Sequence, residues 1–244
     1  MEPREFVKEY GIQSLVCCFS GGKDSLVATH HTLSELEGCD ITKYVVYVDT
    51  SVMCPGVTSW VEDFCREYGW PLTVLQPKPD FWTLAAKWRW MPRPNSRWCC
   101  WRLKLKPIHL FVRDLPAQRA EVTGLRREES LRRRNLRQVV YFKKSRSWKY
   151  APILELKETD VIRYLRVHDL PIPPHYKIGV KETCLCGAYG SREQMAIICA
   201  LFPDFFQKFV DLEEKLDGRS AFYFNGKRCF AKDFLKQKTL KEPQ

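Results

Sequence analysis

Residues 14–25 read Ser14-Leu15-Val16-Cys17-Cys18-Phe19 and then Ser20-Gly21-Gly22-Lys23-Asp24-Ser25. The first six form a short apolar run, as expected of a strand buried on both faces. From Leu26 to Leu36 apolar residues recur at helical spacing, and Gly38 is placed to end the helix. The two glycines permit a sharp turn with amides pointing inward. The following helix start adds partial positive charge and Lys23 a full one, which together make a cradle for pyrophosphate. The pattern G-x-x-x-x-G-K-[ST] is absent, which excludes a phosphate loop of that type. The plain structural alternative is a Gly-rich βα turn capped by Asp24 or Ser25.

The same strand-then-helix rhythm continues outward. Lys43–Val48 leads through a Pro-Gly turn into residues 56–68. Residues 71–75 lead into 81–90, and Glu121–Thr123 ends a further strand. Such alternation predicts an α/β fold, a mainly parallel twisted sheet with helices on both faces. Past Pro152 the periodicity turns helical at residues 159–167, 192–202 and 205–216. The expected division is a nucleotide-binding α/β domain over residues 1–150 and a helical C-terminal extension over 151–244, packed on it.

The chain has 244 residues, 45% of them hydrophobic, which is too apolar for a disordered tail. A net charge of +11 favours polyanionic partners. Residues 126–149 hold ten Lys/Arg against Glu128 and Glu129 and carry most of that excess. The charged start, Met-Glu-Pro-Arg-Glu, lacks the apolar core of an export signal. No apolar run approaches the roughly 20 residues of a membrane span. Eleven cysteines without an export signal suit a reducing, cytoplasmic setting better than a disulfide framework.

SGGKDS after an apolar strand resembles the PP-loop of the ATP-pyrophosphatase superfamily, and the likeness extends along residues 14–200. Val48-Asp49-Thr50 resembles the "DTG" element of its phosphoadenylylsulfate (PAPS) reductase branch, with Ser51 in place of the usual glycine. Thr123-Gly124-Leu125-Arg126-Arg127-Glu128-Glu129-Ser130 resembles that branch's "TGIRxxES" loop. Residues 151–161 and 169–179, which include Leu170-Pro171, Pro174 and Tyr176-Lys177-Ile178-Gly179, resemble its downstream segment. The resemblance implies an adenine nucleotide alpha-hydrolase-like fold. It also implies an adenine-nucleotide site, for ATP or for PAPS or its relative APS, made by Ser20, Gly21, Gly22, Lys23, Asp24, Ser25, Asp49, Thr50, Gly124, Arg126 and Arg127. Lys23, Asp24 and Asp49 are the expected catalytic residues. Loops that follow parallel strands meet at the carboxyl ends of those strands. Arg126 and Arg127 are suited to fork onto phosphate. Asp49 is read equally as a contact to ribose, adenine or Mg²⁺ and as a carboxylate that closes a turn.

Arg97-Trp98-Cys99-Cys100-Trp101-Arg102-Leu103-Lys104 resembles the "CCxxxKxxP" element of the iron–sulfur members, ending at Lys106-Pro107. Lys181-Glu182-Thr183-Cys184-Leu185-Cys186-Gly187 stands where those members have a second cysteine pair, here as CxC instead of CxxC. The resemblance implies a 4Fe–4S cluster on Cys99, Cys100, Cys184 and Cys186. Four thiolates would equally suit tetrahedral zinc, and a metal-free role stays open. Cys17, Cys18, Cys65 and Cys199 read as buried small hydrophobes.

Trp82, Trp88, Trp90, Trp98 and Trp101 interleave with Lys and Arg over residues 82–106. That pattern suits stacking on exposed nucleic-acid bases, or else a helix that buries Trp82 and Leu84 beneath a solvated basic face. Arg132-Arg133-Arg134 reads as a solvated face or as a closure over phosphates. His30-His31 reads as structural.

Three functions compete. The first is an enzyme that adenylates an acceptor, such as tRNA or DNA, for iron–sulfur-dependent sulfur transfer, with ATP, Mg²⁺ and a sulfur donor. The second is a sulfonucleotide reductase that releases sulfite and draws on an electron donor. Its nucleophile is expected in an "ECGxH"-type motif, yet residues 230–244 hold neither Cys nor His and Cys229 is the one candidate. The third is a non-catalytic nucleotide-binding module. The intact SGGKDS favours the first. Assembly as a homodimer is also allowed for.

Overall fold

The computed structural model describes residues 1–116, 118–224 and 226–239, with side chains described up to residue 236. The chain runs α1 (Pro3–Glu9), β1 (Ser14–Cys18), α2 (Lys23–Glu35), β2 (Thr42–Val48), α3 (Val57–Glu67), β3 (Leu72–Leu75) and α4 (Phe81–Trp88). A π-helical turn, Cys100–Leu105, precedes α5 (Lys106–Arg113) and β4 (Arg119–Val122). Then come β5 (Val139–Phe142), β6 (Ser147–Tyr150), α6 (Glu158–Val167) and α7 (Pro174–Lys177). The chain continues with α8 (Arg192–Leu201), α9 (Pro203–Glu214), β7 (Phe222–Phe224), β8 (Lys227–Cys229) and α10 (Ala231–Thr239). Two compact units result. One comprises residues 1–48, 59–75 and 106–173, the other residues 49–58, 76–105 and 174–244.

The first unit holds one six-stranded sheet in the order β3-β2-β1-β4-β6-β5, with helices on both sides. All neighbours are parallel except β5, which runs antiparallel to β6. β1 pairs Ser14 with Thr42 on one side and with Arg119 on the other. It is central and almost wholly buried, which explains why its sequence is continuously apolar instead of alternating. Val16, Val46 and Val48 pack with Ile108 and Val112 of α5 on one face. α2 packs against β1, β4 and α6. The order reverses between β1 and β4, so the loops after these two strands open at the switch point, where such sheets bind ligands.

The sheet is mainly parallel, as expected, but two elements of this unit were not foreseen. α1 is closed by a capping box between Glu2 and Glu5. The basic stretch forms two short 3₁₀ turns and then the β5–β6 edge hairpin. The charge lies mostly around these short strands and hides them: on β6, Lys149 points at Glu121, a buried carboxylate that also accepts from Ser147 Oγ at 2.7 Å.

The second unit is mostly helical and also contains the β7–β8 hairpin. Strands of three residues are too short to show an alternation. Phe206, Phe209 and Phe222 are fully buried and pack with Phe234. Trp82 joins at Phe209, with ring centroids 4.9 Å apart. Among the described residues no helix is long and apolar enough to cross a membrane.

Candidate functional sites: a phosphate loop and a cysteine cluster

In the first unit, helix α2 starts at Lys23, three residues before the apolar periodicity begins. Its N-cap is Gly22, which has no side chain to cap the first turn, and Gly21 turns the chain with φ of 77°. Ser25 Oγ donates to the Gly22 carbonyl at 2.8 Å, accepts from Ser20 N at 3.1 Å and lies 3.0 Å from Ser20 Oγ. The serines thus lock the loop from inside while its amides face the helix start.

The loop after β4 closes against this turn. A Cβ on Gly124 would lie 2.6 Å from the backbone of Asp24 and Ser25. No residue other than glycine fits there without moving the loop. Arg126 is buried and places Nε 2.6 Å from Asp24 Oδ1 and Nη1 2.9 Å from Glu128 Oε2. Burial opposes its charge, yet Asp24, Glu129 and Glu128 hold its pKa above the ordinary value. Lys23 Nζ lies 3.1 Å from Asp24 Oδ2 and 3.4 Å from Glu158 Oε1. Asp24 is therefore held by a cation on each oxygen.

This arrangement brings the sequence-predicted Ser20, Gly21, Gly22, Lys23, Asp24, Ser25, Gly124 and Arg126 together. Arg127 turns elsewhere: its Nη2 donates to the Leu136 carbonyl at 2.9 Å and pairs with Glu155 at 3.2 Å. Sequence reasoning passed over Glu128 and Glu158. Glu128 also accepts from Glu158 N at 2.7 Å, tying α6 to the Arg126 loop. The sequence signal was the pair of acids directly after Arg126-Arg127. Of the arginine run, Arg133 pairs with Glu129, whereas Arg132 and Arg134 are exposed. His30 Nδ1 meets Tyr164 Oη at 2.9 Å within the helical layer.

In the second unit, the segment from residue 49 meets that around residue 184. Met53 and Cys184 form an antiparallel bridge. Leu185 N donates to the Val52 carbonyl and Cys54 N to the Thr183 carbonyl, both at 2.8 Å. Asp49 Oδ1 accepts from Ser51 N at 2.8 Å and so closes a turn. Thr50 Oγ1 lies 3.8 Å from Cys184 Sγ, so Thr50 stands beside the cysteines.

The four sequence-predicted cysteines share this unit. Cys99 Sγ lies 3.5 Å from Cys186 Sγ. Cys100 begins the π-helical turn, an irregularity frequent at functional sites. A hydrogen bond from Cys99 lowers the Cys100 pKa, and the converse raises that of Cys99. Cys184 is raised well above the ordinary thiol range through its bond with Cys186. Cys184 lowers Cys186, but Cys99 and burial outweigh it and push Cys186 up to about 12. Four thiols this close cannot all ionise unaided; a multiply charged cationic centre would let them. Among the described residues no three His, Cys, Asp or Glu side chains are arranged to hold a single metal ion. Tetrahedral zinc and an iron–sulfur cluster both take four thiolates, so the donor set suits either centre.

Mg²⁺ fits less fully. Both oxygens of Asp24 face cations, so Asp24 offers no free carboxylate oxygen to a metal shared with substrate phosphates. Cys17, Cys65 and Cys199 are buried, as expected of small core residues, and Cys18 is half-buried. Cys229 is buried in β8, and burial raises its thiol pKa.

Known proteins resemble this chain in sequence or in fold. An uncharacterized protein of Methanocaldococcus jannaschii is 29% identical over 203 residues, covering 81% of this chain and 41% of that protein. This chain thus spans less than half the length of that relative. Adenosine 5'-phosphosulfate reductase 2 of Bacillus subtilis is 23% identical over 168 residues, 67% of each chain. The fold is shared with the phosphate complex of a Candida auris PAPS reductase, at TM-score 0.55 and 19% identity, covering 75% of this chain and 87% of that one. It is shared with Candida glabrata FMN adenylyltransferase in complex with FAD and pyrophosphate, at TM-score 0.56 and 14% identity, covering 98% and 76%. It is shared too with the U34-tRNA thiolase of Methanococcus maripaludis with its [4Fe-4S] cluster, at TM-score 0.53 and 14% identity, covering 93% and 81%. These neighbours have the adenine nucleotide alpha-hydrolase-like fold anticipated from the PP-loop. Residues 14–228, from the first strand to the last hairpin, match the phosphoadenosine phosphosulfate reductase domain, and the chain belongs to that family.

Proposed function

We propose that this protein binds ATP at residues 20–25 and transfers AMP to an oxygen of a nucleic-acid acceptor, tRNA or DNA, in preparation for sulfur insertion. The observation that carries this reading is the pair of cations, Lys23 and Arg126, bracketing Asp24 at an uncapped helix start. The acceptor oxygen attacks the α-phosphorus, the bond to the bridging oxygen breaks, and its electron pair leaves with pyrophosphate. Lys23 and the loop amides stabilise the charge that develops on that leaving group. Glu158 and Asp24 hold the ammonium in place until the phosphates replace them as partners. Arg126, buried and paired with both Asp24 and Glu128, positions Asp24. A cluster held by Cys99, Cys100, Cys184 and Cys186 would supply the sulfur nucleophile that displaces AMP. An adenylyltransferase and a [4Fe-4S] tRNA thiolase with this fold make both halves of the scheme chemically reasonable.

The second reading, reduction of APS or PAPS to sulfite, draws on the name of the Bacillus subtilis relative. It needs an accessible thiolate to attack sulfur, and a buried Cys229 with a raised pKa is a poor nucleophile. The experiment gives the purified protein ATP with bulk tRNA and follows pyrophosphate, and in parallel gives APS or PAPS with a thiol and follows sulfite. Pyrophosphate release that needs tRNA or DNA and is lost in Lys23→Ala is the expected result. Sulfite release that vanishes in Cys229→Ser overturns it in favour of the reductase.

A further inference from the structure

A cleft of about 200 Å³ in the second unit is lined by Trp90, Met91, Arg93, Arg219, Ser220 and Arg228. It lies between the segment after α4 and the β7–β8 hairpin. Three of its six lining residues are arginines, and none of the described residues lining it is Asp or Glu. Its walls are built. The Arg93 guanidinium stacks over the Tyr223 ring at 4.9 Å. Arg219 Nη1 donates to the Arg89 carbonyl at 2.8 Å, while Arg89 itself pairs with Asp217 at 2.6 Å. The Trp90 carbonyl accepts from Trp98 Nε1 at 3.3 Å, and Trp90 is 46% exposed. The hairpin that carries Arg228 is anchored by Glu213, whose Oε1 accepts from Ala221 N and Ala231 N at 2.7 Å.

We propose that this cleft binds one phosphodiester of a single-stranded nucleic acid, with the flanking base stacked on Trp90. The claim rests on the reading that the acceptor is a nucleic acid, and it assigns the surface that holds it. Guanidinium forks match phosphate oxygens, and three of them without a facing carboxylate attract a polyanion from solution. An exposed indole beside them is the platform that a base uses. The volume lies below the roughly 300–1,000 Å³ of sites that enclose a whole small ligand. It suits one link of a strand that continues over the surface, where Trp88 and Trp101 are also exposed. An acidic peptide would satisfy the arginines but leaves the indole without a role.

The test uses the full chain and fluorescence anisotropy of labelled oligouridine over a salt series. Arg93→Gln and Arg228→Gln combined should lower the slope of log affinity against log salt by about 0.7, the loss of one phosphate contact on a single strand, and each alone by part of that. Trp90→Ala should weaken binding about 5- to 100-fold. Circular dichroism checks that each variant is folded; should Trp90→Ala not fold, Arg228→Gln on the exposed hairpin decides. Unchanged affinity and slope in the variants overturn the proposal. So does competition by polyglutamate as strong as by unlabelled oligouridine, which would mark an acidic-peptide site. ATP binding is measured on the same samples and should be retained in every variant. Wild-type protein that binds oligouridine through these residues but does not bind ATP would sink the adenylation reading and leave this site standing.

Discussion

The phosphate loop and the cysteine cluster solve opposite electrostatic problems. Around residues 20–25 every buried charge already has its counter-charge: Asp24 lies between Lys23 and Arg126, and Arg126 between Asp24 and Glu128. Around Cys99, Cys100, Cys184 and Cys186 the groups are of one kind, and three of the four thiols are held protonated by their neighbours or by burial. The first site is organised before any ligand arrives. In the second, the thiols act mainly on one another, and a bound metal centre would take up their charge.

The contrast breaks most sharply at the cysteines. Protein prepared without oxygen should be brown and contain iron and sulfide, and Cys184→Ser with Cys186→Ser should lose both entirely. ATP affinity, measured by calorimetry, should be unaltered. Stoichiometric zinc in the wild type, or iron retained in the double variant, would show that these thiols do not hold a cluster. At the phosphate loop, the counterpart is Arg126→Ala, which leaves carboxylates that were paired in a buried place. The expected cost is about 3 kcal/mol, at the low end for a broken buried pair because Asp24 keeps Lys23. Chemical denaturation reads it directly. A loss below about 1 kcal/mol would mean that the pair behaves as an exposed one.

Gly124→Ala tests whether the loop is organised by backbone as well as by charge. The added methyl meets Asp24 and Ser25 main-chain atoms at 2.6 Å, and backbone cannot swing aside as a side chain does. A destabilisation of about 1–3 kcal/mol is expected, together with ATP binding weakened at least tenfold because the cradle must shift. Normal ATP affinity in this variant would show that the β4 loop does not set the cradle's shape.

The two sites differed in the same way in how far the sequence revealed them. The phosphate loop is contiguous: a buried apolar strand, two glycines and a helix start lie within a dozen residues, and the parallel order of β1, β2 and β3 follows from that rhythm. Arg126 was readable because it directly follows the Thr123-Gly124 turn. Glu158 was not, since its approach to Lys23 depends on where α6 lands, and nothing local encodes that. The cysteine pairs stand some 85 residues apart in sequence, and only the family resemblance joined them. The bridge between Met53 and Cys184 that places Thr50 at the sulfurs is a long-range pairing with no sequence period. Edge strands were lost for a further reason. The charged residues around β5–β6 and the brevity of β7–β8 hide alternation, and Glu121 reads as a surface residue until the hairpin covers it.

The smallest expected effect sharpens the comparison within the second unit. Glu213 is a buried carboxylate held, unlike Asp24, by backbone N–H groups, with Lys232 as the favourable charge: its Oε1 accepts two backbone N–H groups and its Oε2 lies 3.4 Å from Lys232 N. Burial raises its pKa above the ordinary carboxylate value, and the backbone donors recover only part of that. The folded state therefore prefers the protonated form. The stability this contributes is fully present below the unfolded pKa of roughly 4.3 and is lost as pH rises through the higher folded value. The amide introduced by Glu213→Gln would keep an acceptor oxygen for Ala221 and Ala231 and would not titrate. The variant should gain stability relative to wild type as pH climbs from the ordinary carboxylate range, and the difference should level off above the raised pKa. Thermal melts of both proteins from acid to neutral pH measure it. A difference that stays constant across that range would mean that the donors and Lys232 balance the burial of the charge.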